Sequence, residues 1–231
     1  MKISPDLIIF RQWGLFTLNA TIVFTWAIMA FLTIGSWIVT RKLSTKTKIS
    51  RWQNILEILV TWIHGQIKAI SHRETYRYLP FVGTLFIFIA VSNLLTVVPW
   101  YQAPTGSLST TVALAVCVFF ATPLFGIMEG GLKEYFRSYI KPTFFMLPFN
   151  IIGEISRTLA LAVRLFGNIM SGSMIAGILL SITPLFFPVI MQAFGLITGL
   201  VQAYIFAVLT MVYIASAIQA HNKKVTKDAE H

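Results

Sequence analysis

Charge is what this sequence has least of: Asp, Glu, Lys and Arg supply only 11% of its 231 residues, and 56% are hydrophobic. That balance is far from the ordinary soluble mix. No charged residue occurs in the runs 12–40, 78–128 and 165–220, and each run exceeds the roughly 20 residues that cross a bilayer. A soluble globular domain is therefore excluded, and lipid is the solvent for most of the chain. Cysteine is nearly absent. Cys117 stands alone in an apolar stretch, which excludes an internal disulfide or a cysteine metal cluster and leaves packing as its role. His64 and His72 have no second ligand at metal spacing, so neither a metal nor a cofactor is expected. The N-terminal apolar patch, flanked by Asp6 and Arg11, lacks a small-residue cleavage site. The first span is accordingly expected to be retained rather than removed as a signal peptide.

The net charge of +10 would suit nucleic acid in a soluble protein, but its placement here follows membrane topology. Arg41, Lys42, Lys46, Lys48 and Arg51 follow the first apolar run, Lys133, Arg137 and Lys141 follow the next pair, and Lys223, Lys224 and Lys227 lie in the tail. These sets mark the cytoplasmic side. The connection from Trp100 to Ser109 has no charge and carries Pro104 and Gly106, as suits a short external loop. An outside N-terminus and a cytoplasmic C-terminus follow.

The expected fold is an all-α polytopic membrane protein forming a single membrane domain over 1–231. Spans are expected at 13–40, 79–98 and 110–128. Between the first two, over 51–71, Trp52, Ile55, Leu56, Leu59, Ile63, Ile67 and Ile70 recur at helical spacing opposite Gln53, Asn54, Glu57, Thr61, His64 and Lys68. That pattern predicts an amphipathic helix lying at the interface or packed on another subunit. The last third is broken at Thr183, Pro184 and Pro188 into arms at 146–182 and 184–220, followed by a tail at 221–231. An unbroken arm of this size is about 55 Å long against a hydrocarbon core of about 30 Å. Each arm therefore tilts steeply or splits into two upright spans, and no polar loop is available for the split. A long, steeply tilted hairpin is the expectation.

Arg164 lies midway along the first arm, in the run Leu159-Ala160-Leu161-Ala162-Val163-Arg164-Leu165-Phe166-Gly167-Asn168. A central arginine costs about 2.5 to 3.5 kcal/mol on insertion scales, so a partner or a wet cavity must compensate. Snorkelling and an ion pair with Glu154 are the plain alternatives. The first is disfavoured far from both helix ends, and the second by a separation of about 15 Å along the axis. Ala160, Gly167, Asn168 and Ser171 share a face with Arg164. On the second arm Gln192, Gly195, Gly199 and Gln202 recur at steps of three, four and three. Both faces are small and polar enough for a neighbouring helix to approach. Packing of the arms on each other is the plain reading of the glycines, and it explains the two glutamines less well because unpaired amides in lipid are costly. A guanidinium keeps its proton, so Arg164 serves as a fixed charge and not as a relay. Such a charge suits a passing carboxylate, whose pKa it lowers by about one to three. That carboxylate has to come from another chain.

Arg164-Leu165-Phe166-Gly167-Asn168, then Gln202-Ala203-Tyr204-Ile205-Phe206 and Leu209-Thr210-Met211-Val212-Tyr213, resembles subunit a of F-type ATP synthases. Ser92-Asn93-Leu94-Leu95 ahead of Pro99 extends the match, and the order of spans fits from about Trp13 onward. The resemblance implies a non-catalytic stator subunit offering two half-channels to the rotor c-ring for H+ or Na+, with peripheral-stalk b-type subunits as further partners, in a prokaryotic cell membrane. It implies Arg164 as the stator charge, Asn168, Gln202 and Asn93 as polar residues of the ion path, and Glu154, near Asn150, as a candidate on the cytoplasmic side. Ser171, Gln192 and Ser173 complete the candidate set. Many relatives carry an acid or histidine nine residues after the arginine or seven before the glutamine, and some an acid three after the asparagine; here stand Ser173, Gly195 and Thr96. Protons hop through exchangeable groups, whereas a hydrated cation needs only a wet polar passage. The departures thus favour sodium more than the family at large does, in line with a resemblance of both terminal stretches to sodium-coupled N-type ATPases. Glu129 and Glu134 fall in the basic cytoplasmic loop as solvated residues. A self-contained secondary transporter or channel is the competing class. It requires an acid of its own beside Arg164, which the arms lack.

Overall fold

A computed structural model describes residues 9–13, 16–41, 51–71, 76–98, 101–132, 146–182 and 187–228. The basic residues Lys42, Lys46, Lys48, Lys133, Arg137 and Lys141, together with His72, Glu134, Thr183 and Pro184, lie outside the described residues. Two short antiparallel strands, β1 (Ile9–Trp13) and β2 (Phe16–Asn19), come first. Among the described residues six α-helices follow: α1 (Ala20–Thr40), α2 (Arg51–Ser71), α3 (Leu79–Leu94), α4 (Leu108–Gly130), α5 (Met146–Ile182) and α6 (Phe187–Asp228). All but α2 are long and apolar enough to cross a membrane. The molecule is an all-α polytopic membrane protein preceded by a small hairpin.

Several boundaries differ from those the charge pattern suggests, three of them for a plain physical reason. The first helix begins at Ala20 rather than near Trp13, because Trp13 and residues 16–19 belong to paired strands. Absence of charge marks an apolar run without fixing its conformation. The last helix runs through the expected tail to Asp228, since no Gly or Pro occurs after Gly199 to stop it. The helix before the basic loop ends at Gly130, where Gly131 takes a φ of 81° and its N–H reaches the Ile127 carbonyl at 2.8 Å. That positive φ is one that glycine alone adopts cheaply. Each arm is one unbroken helix, of 37 residues in α5 and 42 in α6. Their lengths of about 55 and 63 Å exceed the apolar thickness of a bilayer roughly twofold.

One core joins Ile28 of α1, Phe88 and Ile89 of α3, Val118 of α4, Leu165 of α5 and Phe206 of α6. A second lies where Ile63 and Ile67 of α2 meet Val82 of α3 and Met211 and Ile214 of α6. The amphipathic stripe of α2 is therefore spent largely within this chain. Ile55, assigned to that stripe by periodicity, is instead exposed. The polar side of α2 joins the packing too: Tyr204 Oη donates to Gln66 Oε1 at 2.9 Å, and Trp62 packs between Tyr204 and Phe86, with centroids 5.6 and 5.8 Å apart. Replacing Tyr204 by phenylalanine removes this bond while keeping the ring. The expected loss is about 1 kcal/mol, read as a lower thermal midpoint of the detergent-solubilised subunit, and Gln66→Leu in the same background should add little further loss.

Candidate functional site

The middle of α5 alternates between core and surface with the helical period. Leu161, Ala162 and Leu165 are buried, whereas Ala160, Arg164, Gly167 and Ser171 are exposed and form a stripe along the opposite side. Arg164 thus points away from the core of its own chain. Among the described residues no acid pairs with it; Glu154 lies ten residues earlier on α5, where its backbone carbonyl accepts from Thr158 Oγ1 at 3.0 Å. Nothing within 4 Å would meet a Cβ at Gly167, so the groove beside the guanidinium is open. Arg164 is thus a fixed cation with no acid partner among the described residues, flanked by small residues on an exposed face of α5.

A second arginine shares that surface, one not singled out from the sequence. Arg157 stands seven residues before Arg164, two helical turns away on nearly the same face, and its Cζ lies 5.8 Å from the centroid of Tyr213 on α6. This cation–π contact ties the two arms. The spacing of seven was the readable signal.

The remaining candidates divide between exposed groups and braces. Asn168 is half-buried and its Nδ2 reaches the Thr198 carbonyl of α6 at 3.4 Å. Ser171 and Ser173 are exposed, their hydroxyls turned back onto the Asn168 and Met170 carbonyls. Gln192 Nε2 donates to the Thr96 carbonyl at 2.8 Å. Asn93 is 1% exposed, its Nδ2 donating to the Gly199 carbonyl at 2.8 Å and its Oδ1 accepting from Thr105 Oγ1 at 2.8 Å. Gln202 is 5% exposed and its Nε2 has no hydrogen-bond partner among the described residues. A buried donor left unmade costs about 1 to 3 kcal/mol, so an acceptor supplied from outside the chain, such as water, fits this position.

The polar face of the second arm is shared out differently from a simple arm-against-arm packing. Gly199 and Gln192 face the end of α3, at Asn93 and Thr96, in antiparallel register, while Gly195 has nothing within 4 Å of an added Cβ. The charge-free connection between α3 and α4 also departs from a plain external loop. Ala103, Pro104, Thr105, Gly106 and Ser107 are all buried, and the segment is folded inward among α3, α4 and α5. Beside it, Tyr101 Oη donates to the Ser92 carbonyl at 3.1 Å, and burial pushes the Tyr101 hydroxyl's pKa up, keeping it a neutral donor. Among the described residues no group of three or more His, Cys, Asp or Glu is arranged to hold a metal ion.

Residues 22–215 match the family model described as ATP synthase A chain. Among curated proteins the chain is 60% identical over 233 residues to "ATP synthase subunit a 2" of Acaryochloris marina, with all of both chains covered. It is also 60% identical over 231 residues to "ATP synthase subunit a" of Albidiferax ferrireducens, again with full coverage of both. To "ATP synthase subunit a 1" of Chlorobaculum parvum it is 57% identical over 226 residues, covering 98% of this chain and all of that one.

Proposed function

Because the chain belongs to the ATP synthase A chain family, as a subunit a of the membrane sector, we propose that it is the stator of the ion path, with Arg164 as its fixed charge. The single observation that carries the reading is the exposure of Arg164, with no acid partner among the described residues, on a small-residue stripe of α5. In this reading two offset half-channels, one open to each side of the membrane, meet at that stripe. An incoming cation neutralises a carboxylate of the rotor c-ring and rides the ring around. It leaves on the other side as Arg164 draws the emptied carboxylate back into ionic form. The positive charge also bars a direct leak between the half-channels. Peripheral-stalk subunits hold the stator still, and the membrane is the prokaryotic cell membrane, with the N-terminus outside and the C-terminus in the cytoplasm.

The chain performs no bond-making chemistry in this scheme. It converts a membrane potential, worth about 2.3 kcal/mol per charge per 100 mV, into torque, so several ions pass for each ATP made. Asn168, Gln202, Gln192, Ser171 and Ser173 furnish a polar route. Glu154, half-buried on α5, stands on the cytoplasmic side of Arg164. The open positions at Ser173 and Gly195, where relatives carry titratable groups, leave a passage lined by amides and hydroxyls, which serves a hydrated Na+ as well as H+.

The test is ATP-driven uptake into vesicles holding the complete complex. Uptake should depend on this subunit, and ATP hydrolysis in the assembled complex without any cation uptake overturns the reading. A protonophore separates the ions: uptake of radioactive sodium that persists or rises with the protonophore identifies Na+, and acidification that collapses identifies H+.

A further inference from the structure

The inward-folded segment between α3 and α4 touches both arms of the hairpin. It locks itself first: the Gly106 N–H reaches the Ala103 carbonyl at 2.9 Å, the Ser107 N–H reaches Pro104 at 3.0 Å, and the Thr111 N–H reaches Ser107 at 3.2 Å as α4 begins. Pro104 fixes one φ in advance. On one side Gly106 lies against α5, where an added Cβ would sit 3.3 Å from Ile169 Cγ2, five residues beyond Arg164. On the other, Thr105 is fully buried and donates to Asn93 Oδ1, and Asn93 in turn donates to the Gly199 carbonyl of α6, three residues before Gln202.

Asn93 is 1% exposed, and one N–H of its amide and one lone pair of its oxygen are engaged by α6 and by Thr105, a placement that suits bracing rather than solvating a passing ion. Its contact with α6 is close: a Cβ at Gly199 would stand 2.9 Å from Asn93 Cβ. Resting on the reading of the arms as an ion path, we infer that segment 103–107 is a wedge fixing the height of α6 against α5, with Thr105 as a positioning residue acting through Asn93. The wedge keeps Gln202 of one arm in register with Arg164 of the other, so that the two groups serve the same passage. The requirement at position 105 is chemical as well as steric. A hydroxyl must be there to donate, since an Asn93 rotated by the loss of that bond also loses its hold on the Gly199 carbonyl.

The experiment compares cations taken up per ATP hydrolysed in reconstituted complete complexes, normalised to the amount of this subunit present. The complexes are isolated through a tag on this subunit, so that complexes lacking it, which hydrolyse ATP without uptake, do not enter the ratio. Thr105→Val, which keeps the shape and removes the hydroxyl, should lower the ratio at least fivefold, and Thr105→Ser should keep it within twofold of the parent. A Thr105→Val ratio equal to the parent, in a preparation where Arg164→Ala has lost coupling, overturns the wedge and spares the ion path. Equal losses in the valine and serine variants overturn it as well, because packing alone would then be responsible. Retained coupling in Arg164→Ala would remove the ion path and the wedge with it. If Thr105→Val fails to assemble, Thr105→Cys is read instead: its thiol is a weak donor, and a ratio between those of the serine variant and of Arg164→Ala supports the wedge, while the parent ratio overturns it.

Discussion

Arg164→Ala should abolish ion-coupled ATP synthesis while leaving the subunit folded and assembled. The second half of that expectation comes from the fold. Arg164 is exposed on α5, and no acid among the described residues pairs with it, whereas the core side of that helix is carried by Leu161, Ala162 and Leu165. Removing the guanidinium therefore opens no cavity in the core and orphans no partner, and a charge-free arm is cheaper to keep in lipid by about 2.5 to 3.5 kcal/mol on insertion scales. Immunoblots of membranes should show parental amounts of the subunit. The loss of function follows from electrostatics. A guanidinium about 4 Å from a carboxylate contributes roughly 4 kcal/mol at an effective dielectric constant of 20, nearly a thousandfold in the equilibrium that discharges the ring's ion. Without it the carboxylate crosses the stator still neutralised, or not at all. Synthesis driven by an imposed ion gradient should fall by a factor of about 100 or more. Arg164→Lys should recover little, because a compact ammonium on a flexible stem does not reproduce the planar fork that meets a carboxylate. Full coupling in the alanine variant would end the proposal, and loss of the subunit from the membrane would assign Arg164 a structural role.

Much of this was legible in the sequence because lipid punishes charge. A lone arginine in a run without acids stands out by its cost alone, and the length of the arms required more than upright spans. The family signature around Arg164 and Gln202 led to the same family that the comparisons show. Tertiary placement was harder to see. Asn93 and Gly199 lie 106 positions apart, and no local period announces that the small face of the second arm would meet the end of α3 and a buried turn. The segment 103–107 was misleading for a related reason. Proline and glycine mark a turn, but they do not say whether that turn faces water or plugs a gap between helices. Where α1 begins was equally hidden, since an uncharged stretch in strands and one in a helix have the same composition.

Gly195 and Gly199 offer the sharpest separation of what periodicity shows from what packing decides, because they lie one turn apart on one face of α6. By sequence they are equivalent, and replacing either with alanine should favour the helix by up to about 1 kcal/mol. The structure makes them unlike. A methyl at 195 enters open space, whereas at 199 it would come within 2.9 Å of Asn93 Cβ and 3.2 Å of Asn93 Nδ2. Those atoms sit close to the backbone of α3 and cannot swing aside as the end of a long side chain would. To accept the methyl, α3 and α6 must part or Asn93 must change rotamer, breaking the bond to the Gly199 carbonyl and unseating Thr105. Overpacking costs about 1 to 3 kcal/mol, and an orphaned buried amide adds about 1 to 3 more, so the net loss for Gly199→Ala should be several-fold larger than any gain in helix propensity. Thermal unfolding of the solubilised subunit should show Gly195→Ala at or above the parental midpoint and Gly199→Ala well below it. Equal midpoints would mean that the α3–α6 contact yields at no cost. A further loss for Gly199→Leu, with no comparable loss for Gly195→Leu, would locate the tight approach at Asn93 alone.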